Sequence, residues 1–382
     1  MTAPLHEYRA QYLDTLLDFL WREWTALGVA GRDRTPRQHV IDPEALLLLT
    51  CTFGRYDPRL FDEVMDWLLK NGRFINVQRL RTMLRKEDFQ GGPVLVAVAH
   101  WLSRHGNPAK WKSLTQSSVR TGANRKQHPA LAGGPVPSGL DRVREDRVRE
   151  EAGSMTGYGA SLKTEPGATA IPLFYLPDGR YLPVLRDEDE TFRRHGFLRP
   201  PLTPRGYSVS FPTDTGAARL LRLRALFGVS ARSDIVNYLA LNGVGHPREI
   251  ARELYYAQKS VHDVLVDLQC AGVALSARTG RERTYRLTPE GLHLVEDGPP
   301  VENWVNWPML LAAAEKVWLL IDRLIGSAET PDGHSSATRA VIEPIASRFM
   351  SARWASALPV HDHGDPLMSL RAFRTFFDTV AQ

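Results

Sequence analysis

A short polar run near residue 260 has side chains of the types that read nucleic acid bases. Its members are Gln258, Lys259, Ser260 and His262, in the segment QKSVHDVLVDLQCAG. Glutamine can pair bidentately with adenine and lysine can donate to guanine, whereas serine suits a phosphate oxygen. If the run begins a helix, the helix N-terminus also favours a phosphate. The run is therefore a candidate for contact with base edges and the phosphates beside them.

Arginines supply a second set of candidate contacts, before and after that run. The set consists of Arg219, Arg222, Arg278, Arg281 and Arg283. The first two should lie one turn apart on the surface of a helix, and the other three surround the turn-forming pair Thr279-Gly280. Guanidinium groups suit both phosphate and guanine. Residues 231–291, however, contain eight basic and seven acidic residues. Their net charge is therefore small, and the basic side chains are placed at particular positions and do not form a continuous basic stripe.

Metal-dependent chemistry has one dense candidate, the segment HDHGD from His361 to Asp365. Histidine and carboxylate side chains ligate zinc or manganese. Adjacent ligands in one loop need partners elsewhere, however, and the sequence contains no HExxH motif. It also lacks a GxxxxGK[ST] loop, a GxGxxG loop after a strand and a GxSxG elbow. A polar loop is the favoured interpretation, so we expect no metal, no cofactor and no enzymatic activity.

The sequence around the polar run predicts three helices followed by a hairpin. The segments ARSDIVNYLALNG, REIARELYY and QKSVHDVLVDLQCAG each have helical periodicity. In the third, Val261, Leu265 and Leu268 repeat at intervals of four and three, which places them on one face. The segment VALSARTGRERTYRLT then alternates on both sides of Thr279-Gly280, as a β-hairpin does.

This order of elements carries a family resemblance. The pattern IAxxL, then SVxxxLxxLxxAGV, then RxYRLT resembles bacterial winged helix-turn-helix regulators of the MarR and ArsR type. The resemblance implies that residues 231–298 are a DNA-binding domain, with QKSVHDVLVDLQCAG as recognition helix and the hairpin as wing. Tyr255 departs from the family pattern, because this turn position is usually glycine, so the turn must tolerate a side chain or shift. More loosely, RLRALFGVSARSDIVNYL gives the chain a similarity to bacterial regulators encoded beside Abi-type nucleotidyltransferase toxins.

The preceding chain predicts two regions of different character. Residues 1–105 have amphipathic helical periodicity, and Asp42-Pro43 and Asp57-Pro58 each have the form of a helix start, which indicates an all-α domain. Residues 106–168 are rich in Gly, Pro and Ser and contain no acid before Asp141, which predicts a flexible basic linker. This linker is either a solvated spacer or an arm that adds phosphate contacts.

Two further regions flank the candidate DNA-binding domain. Residues 169–230 predict a hairpin around Pro177-Asp178-Gly179 and an arginine-rich connecting helix. Residues 299–382 predict helices, the first of which follows Trp307 and has a broad apolar stripe. Either a second copy of the chain or the N-terminal helices must cover that stripe, and the sequence leaves both alternatives open.

Composition excludes several classes of protein. The chain of 382 residues is 43% hydrophobic and 24% charged, as ordinary globular proteins are. Its 48 basic and 43 acidic residues give a net charge of +5, a mild attraction to polyanions. Two cysteines cannot form a disulfide framework, and no apolar run reaches the length of a membrane span. We therefore expect a cytoplasmic protein with no membrane segment.

These observations predict a mainly α protein with a small β-wing: a helical N-terminal domain, a flexible linker and a C-terminal winged helix-turn-helix flanked by helices. The expected function is sequence-specific binding of double-stranded DNA by a transcriptional regulator, a dimeric repressor. The alternative is an antitoxin-like or scaffold protein that binds a partner protein through its winged helix or its N-terminal helices.

Overall fold

The computed structural model describes residues 2–31, 39–115, 170–184, 187–280, 282–296, 301, 304–327, 331–351 and 366–381. These residues are mainly helical, with a small content of β-strand. The helices before residue 116 are α1 (Thr2–Ala26), α2 (Pro43–Phe53), α3 (Pro58–Asn71), α4 (Val77–Glu87), α5 (Gly92–His105) and α6 (Pro108–Thr115).

The starts of α2, α3 and α4 follow from the residues that cap them. The side chains of Asp42, Asp57 and Asn76 each accept hydrogen bonds from backbone amides in the first turn of the helix that follows. Proline occupies the first position of α2 and of α3, where its missing N–H costs no hydrogen bond. The two predicted Asp-Pro helix starts are confirmed.

Helix α6 corrects the predicted boundary of the linker. Its Trp111 and Leu114 are buried, and the helix packs against α5. The polar composition around it indicates a linker, but two large apolar side chains are enough to attach a short helix to its neighbour. The N-terminal helical layer therefore extends to residue 115. Residues 116–168 of the predicted linker lie outside the described part of the chain.

The next segment adds β1 (Ile171–Pro172), α7 (Glu190–Arg194), β2 (Phe197–Leu198) and α8 (Arg219–Phe227), and β1 pairs in parallel with β2. The predicted turn at Pro177-Asp178-Gly179 is present, closed by an antiparallel bridge between Tyr175 and Tyr181. Phe174 and Phe192 join the same apolar core as the N-terminal helices. This segment is therefore part of the N-terminal body.

A second apolar core lies in the following unit. Its elements are α9 (Ala231–Asn242), α10 (Pro247–Glu253), α11 (Gln258–Cys270), β3 (Ala274–Thr279), β4 (Glu282–Leu287) and α12 (Pro289–Glu296). Strands β3 and β4 form an antiparallel hairpin, and a bridge from Gly245 to Tyr285 ties the segment between α9 and α10 to β4. We refer to residues 231–296 as the second unit.

The chain then returns to the N-terminal body through α13 (Trp307–Gly326), α14 (Pro331–Ser351) and α15 (Pro366–Ala381). Helix α13 packs against α1, α2 and α14, and its apolar stripe lies in the N-terminal core. Of the two ways to cover this stripe, the structure therefore has the intramolecular one. None of the described helices is long and apolar enough to cross a membrane.

Candidate nucleic-acid interface

The outward face of α11 carries the polar run that the sequence singles out. Val261, Leu265 and Leu268 point into the second core, as predicted. Because these three residues fix the orientation of the helix, the first turn and the opposite face lie in solvent. The four predicted contact residues are all exposed there: Gln258, Lys259, Ser260 and His262. Their placement leaves them accessible, and their role stays a prediction.

The first turn of α11 adds backbone donors to this face. The residue that caps the helix is Ala257, which has no side-chain group to accept a hydrogen bond from the first-turn amides. The first N–H groups of a helix have no acceptor within the helix, and they attract anions. The start of α11 therefore suits a phosphate oxygen better than a helix start with a Ser or Asp cap does.

The hairpin places two of the three predicted wing arginines close to its tip. Arg278 and Arg283 are paired across the strands, and both are exposed. The Arg278 Nε donates to the carbonyl oxygen of Gly280 at 3.1 Å, and Gly280 makes the turn with a φ of +64°. The guanidinium of Arg283 lies 5.7 Å from the centre of the Tyr285 ring. Arg281 lies outside the described residues.

The expectation that Arg219 and Arg222 both lie on the surface is wrong for Arg219 and holds only in part for Arg222. Arg219 is buried, and the half-buried Arg222 donates to two backbone carbonyl oxygens. The reason is that α8 lies between the two cores, since Leu221 belongs to the first and Leu223 to the second. The sides of the helix that face the two cores are therefore covered, and Arg219 is withdrawn from solvent, whereas Leu226 near the end of the helix is exposed.

A buried ionic network, which we call the ionic clamp, joins the second unit to the N-terminal body. It consists of Asp42, Glu44, Arg79, Arg224 and Asp234. Arg224 donates to both carboxylate oxygens of Glu44 and of Asp234, at 2.5–3.1 Å. Arg79 pairs with Asp42 and donates to Glu44 at 2.8 Å. Each clamp residue is at most 7% exposed, so α2, α4, α8 and α9 meet through charges withdrawn from water.

The balance of charge in the clamp keeps its arginines ionised. Burial alone lowers the pKa of a guanidinium, because the charged form loses its hydration. For Arg79 and Arg224, the neighbouring carboxylates outweigh burial and raise the pKa of each above its ordinary value. For Asp42 burial raises the pKa, because the charged form of a carboxyl also loses its hydration. The Arg79 guanidinium outweighs burial, and the pKa of Asp42 is lowered. Arg79, Arg224 and Asp42 are therefore held in their charged forms.

The turn between α10 and α11 is held to the N-terminal body by Tyr255. This residue adopts the left-handed conformation, with φ of +64°, so the turn keeps the geometry for which glycine is usual and accepts a tyrosine. That backbone costs a non-glycine residue about 1–2 kcal/mol. The Tyr255 hydroxyl donates to Glu87 at 2.7 Å, and Arg348 donates to both oxygens of Glu87 at 2.8 and 2.9 Å.

The neighbours of Tyr255 provide further attachment. The Tyr256 hydroxyl donates to Asp234 at 2.7 Å and accepts from Asn76 at 2.8 Å. Arg79 Nε donates to the carbonyl oxygen of Leu254 at 3.0 Å. The turn is therefore anchored at three consecutive residues. Sequence reasoning missed these anchors, and the one signal of them was the tyrosine at a position usually occupied by glycine.

Metal binding finds no support in the described part of the chain. No group of three or more His, Cys, Asp or Glu side chains there could hold a metal ion. The segment from His361 to Asp365 lies outside the described residues. In comparisons with known proteins, no family model, no curated protein and no solved structure matches this chain.

Proposed function

We propose that the second unit is a winged helix-turn-helix that binds double-stranded DNA, with α11 as recognition helix and the β3–β4 hairpin as wing. The observation that carries the proposal is the division of α11 into an apolar face in the core and a polar first turn in solvent, beside an exposed arginine-bearing hairpin. The order of three helices and a hairpin, with the Gly245–Tyr285 bridge, supports it further.

Each exposed side chain has a contact that suits its chemistry. Gln258 and Lys259, at the start of α11, would reach base edges in the major groove, and Ser260 and His262 would reach bases or the phosphates beside them. Arg278 and Arg283 would contact the backbone or the adjacent minor groove. Arg281 belongs to this set on the sequence pattern alone.

The mode of action follows from the modest charge of this surface. With eight cations and seven acids between residues 231 and 291, one copy has little attraction for phosphates at any sequence. We therefore propose sequence-specific binding by a dimer, which doubles the contacts and reads two half-sites. A regulator that occupies its site in this way acts as a transcriptional repressor when the site overlaps a promoter.

Selection of sites from random double-stranded DNA by the full chain, followed by binding at several salt concentrations, tests the proposal. Lys259→Ala should cost roughly 1–3 kcal/mol on the selected site, and Arg283→Ala should reduce the salt slope by about 1. Arg81→Ala, at an exposed cation on α4 in the N-terminal body, is the control and should bind as the wild type does. Wild-type binding by both test variants would remove the second unit as the DNA-binding surface.

A second candidate function is that of an antitoxin-like or scaffold protein, and one observation favours it. Leu226, Leu275 and Leu294, in or next to the second unit, are 65%, 45% and 44% exposed. Exposed leucines suit a protein partner better than DNA. If the chain selects no DNA sequence, and Leu226→Ser with Leu294→Ser releases a partner encoded by a neighbouring gene, this function replaces the first.

A further inference from the structure

The groove between α13 and α14 has the size and lining of a small-ligand site. Its volume is about 410 Å³, within the usual range for such sites. The walls include the apolar residues Leu319, Leu320, Val341 and Ile345. Three cations also line it, namely Lys316, Arg323 and Arg348, and no described acidic residue does. An apolar groove with this lining favours a ligand that is apolar along its length and negative at one point.

The cations around Glu87 indicate where the negative group of a ligand would bind. Lys316 and Arg348 both lower the pKa of Glu87, against the effect of burial, so both cations lie near this one carboxylate. Arg348 is paired with it, whereas Lys316 has no hydrogen bond or ion pair among the described residues. Glu315, next to Lys316 in sequence, is buried and accepts from Thr52 and from the Gln90 amide. This end of the groove therefore presents two cations, Arg348 in an ion pair with Glu87 and Lys316 without an ion pair among the described residues.

The same end of the groove leads to the turn before α11. A polar cavity of about 310 Å³ shares Met309 and Arg348 with the groove, and Tyr255, Arg252 and Glu253 line its other side. Because Glu87 holds both Arg348 and the Tyr255 hydroxyl, a second anion beside Arg348 would compete with Glu87 and alter the support of the turn.

We propose that this groove binds an amphipathic carboxylate, with the alkyl chain over Leu320, Val341 and Ile345 and the carboxylate beside Lys316 and Arg348. Binding takes the place of part of the Arg348–Glu87 contact and so loosens Tyr255. The consequence that the ligand weakens DNA binding rests on the proposed function of the second unit, whereas ligand binding itself does not.

Calorimetric titration of the full chain with decanoate, below its micellar concentration, tests the site. Decanoate should bind saturably to one site, and decanol and acetate should bind at least about tenfold more weakly, because each lacks one of the two recognised parts. Lys316→Gln should weaken decanoate binding about tenfold. Lys112→Gln is the matched control and should bind normally.

Blocking the groove gives an independent variant. Ala340 lines the groove and is exposed on α14, so Ala340→Trp should fill the space without disturbing the core and abolish decanoate binding. Ser336→Trp, exposed on the same helix outside the lining, should bind as the wild type does. Circular dichroism confirms that each variant is folded. Equal affinity for decanoate and decanol, or full binding by Ala340→Trp, would overturn the proposal.

The groove could instead be covered by a second copy of the chain or by lipid, and either result would overturn the proposal. The same variants distinguish these occupants. If decanoate does not bind and Ala340→Trp lowers the mass in sedimentation, the groove is an interface between copies of the chain. If only phosphatidylglycerol vesicles bind, and Ala340→Trp prevents this, it faces lipid. If the chain binds decanoate and no DNA, the ligand site is supported and the proposed function is wrong. If it binds DNA and no decanoate, the proposed function is supported and the ligand site is wrong.

Discussion

Arginines on the two sides of the second unit differ in burial and in ion pairing. Arg79 and Arg224 lie in the ionic clamp, at most 2% exposed and paired with carboxylates. Arg278 and Arg283, at the hairpin, are exposed. The inner pair fixes where the unit lies against the N-terminal body, and the outer pair is available to an anion. The count of basic residues in a segment therefore says little about nucleic acid binding until the carboxylates near them are located.

The inner side also shows what buried charge contributes. Removing five charged groups from water is costly, and well-packed apolar residues of similar volume often give equal or greater stability. What the charges add is direction, because the Arg224 guanidinium, which donates to both oxygens of Glu44 and of Asp234, accepts one arrangement of α2, α8 and α9. We infer that the clamp sets the orientation of the second unit. Substitutions of the inner and of the outer arginines should therefore change the unfolding free energy by different amounts.

Arg224→Met should give the largest effect. The apolar side chain leaves the buried carboxylates Glu44 and Asp234 with Arg79 as their one remaining cation in the clamp, which costs about 3–5 kcal/mol of unfolding free energy. Urea denaturation followed by circular dichroism measures this cost. Arg278→Met is the matched control at an exposed arginine and should lie within about 0.5 kcal/mol of the wild type. Equal effects of the two substitutions would mean that burial does not distinguish the two sides.

Glu87→Gln should cost less, and its cost should depend on pH. At pH 7 the loss of charge-assisted hydrogen bonds from Arg348, with a changed acceptor for Tyr255, amounts to about 1.5–3 kcal/mol. The pKa of Glu87 in the folded protein is lowered below its ordinary value of 4.5, although burial opposes this, because Arg348 and Tyr255 donate to it. The stability it contributes is therefore present above pH 4.5 and is lost as the pH falls through the lowered folded pKa.

The measurement for this variant is urea denaturation at pH 7 and again near pH 3. The difference between wild type and Glu87→Gln should shrink at the lower pH, because the contribution of the carboxylate is lost as the pH falls from 4.5 toward the lowered folded pKa. A difference of the same size at both values would show that Glu87 acts through packing and not through its charge.

Tyr255→Phe should have a smaller effect, since it removes one hydroxyl and keeps the buried ring. The loss of the hydrogen bond to Glu87, whose two oxygens still accept from Arg348, should lower the unfolding free energy by about 0.5–1.5 kcal/mol. Tyr207→Phe is the control, because Tyr207 is 66% exposed. If both variants match the wild type, the turn is not supported through Tyr255.

The outer side of the second unit could be predicted from the sequence, and the inner side could not. The repeat of Val261, Leu265 and Leu268 determines which face of α11 is buried, and so which polar residues are exposed. That information is local. The Tyr255 departure could also be noticed, and the positive φ explains why the position is unusual.

The inner side depends on contacts between distant parts of the chain. The buried Arg224 donates to Glu44, which lies 180 residues earlier in the chain. Periodicity treats an arginine on an amphipathic helix as exposed, and this rule is wrong for a helix between two cores, as for Arg219. Composition predicted a linker where α6 lies, for a related reason. Trp111 is buried against a distant part of the chain, and no local pattern specifies that surface.

Arg278→Gln should have the smallest effect on stability and still change the proposed activity. Among the described residues the side chain makes one hydrogen bond, to the carbonyl oxygen of Gly280, and the residue is exposed, so the unfolding free energy should change by less than about 0.5 kcal/mol. If the guanidinium neutralises a phosphate, the slope of log Kobs against log salt should fall by about 0.9. Arg81→Gln, far from the hairpin in sequence and also exposed, should leave both quantities unchanged. Loss of stability together with an unchanged slope would place Arg278 with the inner arginines, because its contribution would then lie in holding the hairpin and not in meeting an anion.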